Sequence, residues 1–77
     1  MVAHDTLIRD YNDLLAAMDD GWTIEPPVYT MTERQGHRVV FHFILWRESR
    51  PGVKSVADGP EVREFINTQH YHLEPLH

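Results

Sequence analysis

The chain has 77 residues, room for one domain and no second, and its 42% hydrophobic and 25% charged content is that of a folded globular protein. It has no cysteine, which excludes disulfides and thiolate metal sites. Twelve acidic residues against seven basic leave a formal charge of −5, which disfavours general affinity for nucleic acid or anionic lipid.

The start, Met-Val-Ala-His-Asp-Thr, lacks a basic segment followed by an apolar one, so no signal peptide is expected. The longest apolar run is too short to cross a bilayer and contains His42. A soluble cytoplasmic protein with no membrane partner is the expectation. Domains this small bury a modest share of their surface, and with no disulfide to help, oligomerisation is the remaining common aid.

Taken in order, the spacing predicts a helix from about Asp5 to Asp20. Leu7, Tyr11, Leu14 and Met18 form its apolar stripe, widened by Ile8 and Leu15, with Ala16 and Ala17 on the other side. Asp5 or Thr6 would cap its start, and Gly21 would end it in a left-handed conformation. Trp22 to Glu33 reads as a strand interrupted by Pro26 and Pro27, which cannot donate to a ladder and imply an edge position or a bulge.

Arg34-Gln35-Gly36 then reads as a three-residue hairpin turn. It leads into the densest apolar run, Val39 to Trp46 between His37-Arg38 and Arg47, whose odd and even positions are both largely apolar. That is the pattern of a central strand covered on both faces. The three-residue turn pairs Val39 with Met31 and Phe41 with Tyr29. It gathers Val28, Thr30, Val40, His42, Ile44 and Trp46 on the opposite face, whereas a two-residue turn would swap the faces of the first strand.

Glu48 to Gly52 reads as a loop, and Val53 to Ala57 as a short third strand. Asp58 and Glu61 have the spacing of a capping box, with Pro60 in the first turn of a second helix. That helix runs to about Gln69 and buries Val62, Phe65 and Ile66, leaving about 70–77 as a loose C-terminal tail. The expected fold is α+β: a single compact domain over 1–77, with a small antiparallel β-sheet and two helices packed on one face, in the order α-β-β-(β)-α.

Two short helices on one side leave the even-numbered face of the central strand without a cover. A monomer rarely exposes such a patch, so the sequence points to association, as a homodimer or with another protein. The residues expected to bind the partner are Val28, Thr30, His42, Ile44 and Trp46, with Trp46 as the anchor. His42, among apolar neighbours, would be a core or interface histidine and could make association pH-dependent.

The remaining histidines, His4, His37, His70, His72 and His77, read as solvated side chains. His70 and His72 have no fixed third ligand, so no metal and no cofactor is expected. Ser49 and Ser55 lie in no nucleophile-elbow pattern, and the four glycines form no phosphate loop, so no catalytic residue is assigned and no enzyme is expected. The element order resembles the α-β-β-β-α order of double-stranded-RNA-binding domains, over most of the chain but in topology alone. The resemblance implies a small RNA-binding module as the alternative function. Against it, Asp58 and Glu61 stand where those domains have a basic cluster, and Arg34, Arg38, Arg47, Arg50 and Lys54 are scattered.

Overall fold

The computed structural model describes residues 8–34 and 36–76. In chain order the elements are β1 (Ile8–Arg9), α1 (Tyr11–Asp19), β2 (Thr23–Thr32), β3 (Val39–Arg47), β4 (Arg50–Ala57), α2 (Pro60–Gln69) and β5 (Leu73–Pro75). They form one five-stranded sheet in the order β1-β4-β3-β2-β5 with both helices on one face. The α+β class is as expected, with β3 central. The sheet is mixed, however, because β1 runs parallel to β4 and β5 parallel to β2.

The first helix begins at Tyr11, not at Asp5. Asp10 is its N-cap, and its carboxylate accepts the Asp13 N–H at 3.2 Å. A capping aspartate offers the backbone a stopping point that a periodicity argument overlooks. Ile8, counted in the helical stripe, instead pairs with Ser55 in β1. Leu7 and the two expected caps, Asp5 and Thr6, lie outside the described residues. Ala17 packs on the core while Leu15 is 37% exposed, the reverse of the predicted faces. The end is as predicted: Gly21 has φ 98°, and Trp22 and Gly21 donate to the Ala17 and Met18 carbonyls.

The diproline makes the expected irregularity. Pairing with β3 shifts register between Glu25 and Tyr29, around a cis Pro26–Pro27 bond. Beyond it the ladder runs to Thr32–Val39 and closes with the Glu33 N–H on the Arg38 carbonyl at 2.7 Å. The connection is therefore residues 34–37, one longer than the predicted turn, with Gly36 and His37 both at positive φ. That extra residue moves the register by one. Met31 comes opposite Val40 and Tyr29 opposite His42.

Glu48 and Ser49 form a two-residue turn with φ of 50° and 69°, so β4 starts at Arg50 and includes Pro51 and Gly52. Both breakers lie where β1, which reaches only Ser55 and Val56, leaves β4 as an edge; proline is tolerated there. The expected capping box at α2 is absent. Gly59 is the N-cap with no side-chain bond, and Asp58 instead holds Arg63 through two hydrogen bonds of 2.6 and 2.9 Å. The C-terminal stretch, expected to be loose, is paired as β5. The Val28 N–H bonds the His72 carbonyl and the Leu76 N–H bonds that of Thr30.

The core lies between the helices and one sheet face. Leu14, Val62 and Ile66 from the helices meet Val28, Phe41, Phe43, Leu45 and Val56 from the strands, each at most 5% exposed. Phe65 sits among Tyr11, Phe43 and Tyr71 with ring centroids 5.6 to 6.4 Å apart. This cluster ties both helices and the stretch before β5 to the central strand.

Candidate functional site

The other face of the sheet carries no helix among the described residues. Alternation along β3 sends Val40, His42, Ile44 and Trp46 to it, and the ladders surround them with side chains of the same side. Met31 and Ala57 flank Val40; Tyr29 and Ser55 flank His42; Glu25 and Val53 flank Ile44; Thr23 and Pro51 flank Trp46. On this face Val40 and Ser55 are themselves shielded, at 1% and 6% exposure, so it meets solvent through its outer side chains. Trp46, Met31 and Val53 are 37%, 39% and 62% exposed, large hydrophobic side chains in contact with solvent.

His42 occupies the middle. Its Nδ1 lies 2.8 Å from the Ser55 Oγ, and its Nε2 is shielded from solvent with no hydrogen-bond partner among the described residues. Burial pushes the imidazole below its ordinary 6.5, because the charged ring would lose its hydration there. The His–Ser pair is poorly placed for nucleophilic chemistry. Ser55 is buried at 6% exposure in the sheet, where a substrate carbonyl has no approach to its hydroxyl.

Of the residues expected to bind a partner, His42, Ile44 and Trp46 do share this face. Val28 and Thr30 do not. The one-residue register shift puts Thr30 opposite Phe41 on the helix side, and Val28 is wholly buried in the core. Their places are taken by Tyr29 and Met31, and Val53 joins from β4. The available signal was the Gly36-His37 pair, since histidine is enriched at left-handed positions and can lengthen a turn by one residue.

Several shallow clefts flank the helices. The one between the helix N-termini, about 570 Å³, is lined by Asp10, Asp13, Asp58 and Glu61, and holds Arg9 and Arg38 besides. Asp10 is spent on its cap and Asp58 on Arg63, so neither is poised for a ligand. A second lies beside Trp22 and Gly52, and a third beside Asn67, His70 and His72. His70 is the left-handed residue ending α2, and His72 bonds Glu74 at 2.7 Å. Among the described residues no three His, Cys, Asp or Glu side chains gather as a metal site, while His4 and His77 lie outside them.

Arg9 and Arg38 share the first cleft, and Arg47 and Arg50 are partners across the β3–β4 ladder. Arg47 is held by the Asp20 carboxylate and lies over the Trp22 ring, Arg38 bonds Glu33, and Arg63 bonds Asp58. No helix among the described residues is long and apolar enough to cross a membrane. Comparison with protein-family models, with curated proteins and with solved structures gives no match to this chain.

Proposed function

We propose that this protein works by association and has no catalytic activity of its own, and that its partner is a second copy meeting it through the helix-free sheet face. The observation that carries the reading is the cluster of Ile44, Trp46 and Val53 on a face that no helix covers among the described residues. Strands β2 to β4 have eight to ten residues each. At about 4.8 Å spacing they span roughly 14 by 30 Å, and side-chain relief and the edge strands raise this toward the ~600–800 Å² per partner of a modest stable interface. Flat sheet faces pack well on one another, so a twofold sandwich is the simplest arrangement.

RNA binding is the weaker reading. Three of the arginines are already engaged by carboxylates, and the net charge is −5.

The test is the mass in solution by light scattering over a wide range of concentrations. The expected result is a dimer for the natural chain and a monomer for Trp46→Glu, whose side chain is partly exposed, so a charge there leaves the core intact. A natural chain that stays monomeric at every concentration would overturn the reading. A Trp46→Glu chain that remains dimeric would move the interface elsewhere.

A further inference from the structure

We propose that His42 makes this association acid-labile, the neutral ring being stowed within the sheet face and its protonation turning it out into the contact. The inference rests on the sheet-face reading above and adds a control to it.

The geometry supplies the reason. Among the described residues the His42 ring is tied at one nitrogen only, by the Ser55 hydroxyl at 2.8 Å, while Nε2 is sealed from solvent without a partner. In the neutral ring Nδ1–H donates to Ser55 and Nε2 is a bare acceptor, the cheaper of the two neutral arrangements. A proton on Nε2 creates a charged donor with nothing to receive it. Such a group is not tolerated in a shielded position, so the ring must swing outward to reach water. A charged ring turned outward beside Ile44 and Val53 would have to be desolvated in the contact, which weakens it.

Among the described residues the surroundings do not counter that charge. The Cα partners of His42 are Tyr29 on β2 and Ser55 on β4, and β1 adds Ile8 beside Ser55. The carboxylates on this face lie farther out. Glu25 is opposite Ile44, Glu33 bonds Arg38 near the hairpin, and Glu74 beyond Tyr29 bonds His72. Burial accordingly pushes the ring below its ordinary value, and no carboxylate among the described residues is its ladder partner.

The experiment measures the dimer dissociation constant by sedimentation equilibrium at pH 7.5 and pH 5.0, the lower pH set well under the ordinary imidazole value of 6.5 because burial pushes His42 below it. The natural chain and His42→Asn, which has no titratable ring and keeps a group for Ser55, are compared. Two linked protons per dimer predict a dissociation constant about tenfold higher at the lower pH for the natural chain and changed by under about twofold for His42→Asn. Equal constants at both pH values would overturn the gate and leave the dimer standing. A natural chain monomeric even at pH 7.5 would overturn the sheet-face reading and the gate with it. An equal acid loss in His42→Asn would assign the gate to another group.

Where His42→Asn fails to fold, the natural chain is compared with monomeric Trp46→Glu instead. The His42 ring followed by NMR should titrate at lower pH in the dimer than in monomeric Trp46→Glu. Identical titration in the two would overturn the proposal.

Discussion

Gly52 faces the Trp22 indole so closely that a Cβ on it would lie 3.0 Å from Cζ3 and 3.3 Å from Cη2. The bare backbone of β4 is thus the floor on which the tryptophan after α1 rests, and it is the reason a glycine can sit within a strand here. The Arg47 guanidinium, held by Asp20, lies 5.1 Å from the same ring, so a displaced ring disturbs that stack as well.

Gly52→Ala should therefore destabilise the fold, by about 1–3 kcal/mol for an overpacked site. That is a large share of the roughly 4–12 kcal/mol typical of a chain of this size. Urea unfolding measures it. An unchanged midpoint would mean that the indole yields without loss.

The turn joining β3 and β4 offers the opposite change. Glu48 and Ser49 both hold positive φ, a conformation that costs a residue with a Cβ about 1–2 kcal/mol and that Asn-Gly adopts readily. Glu48→Asn combined with Ser49→Gly should raise stability by about 1–2 kcal/mol, read from the same unfolding curves. No gain would show that the present pair is held there by contacts worth as much.

Acid should weaken the fold in two separate windows. His42 is half-buried, so the unfolded chain takes up a proton near 6.5 while the folded chain resists it. Its contribution is complete above 6.5 and falls as pH drops below that value toward the lower folded one. Asp58 is held down chiefly by its hydrogen bonds to Arg63, so its contribution is complete above 3.8 and is lost as pH falls through its lower folded value. The Asp58–Arg63 pair is largely solvent-exposed and contributes under about 1 kcal/mol, so the upper window should dominate. Unfolding measured against pH should show the first slope vanish in His42→Asn and the second in Asp58→Asn. A slope that survives its substitution assigns it to other groups.

Much of this molecule is legible in its sequence because local chemistry dictates it. The two-sided apolarity of Val39 to Trp46 marks the central strand, Gly21 marks the end of α1, and the diproline marks a break in β2. The helix periodicities place Leu14, Val62 and Ile66 in the core without reference to any distant residue. His42, Ile44 and Trp46 share a face by simple alternation, whatever strand lies beside them.

What depends on a count between elements was settled only in three dimensions. Whether the hairpin loop has three residues or four decides whether Val28 and Thr30, or Tyr29 and Met31, lie beside His42, and a side-chain period of two makes that one residue decisive. The edge strands are a similar case. Ile8–Arg9 and Leu73–Pro75 are too short to show a period, and they are strands because β4 and β2 leave backbone groups for them to pair with. Alternation along one strand is a property of that strand alone, whereas register and edge pairing are properties of two segments at once. Only the tertiary structure brings the two together.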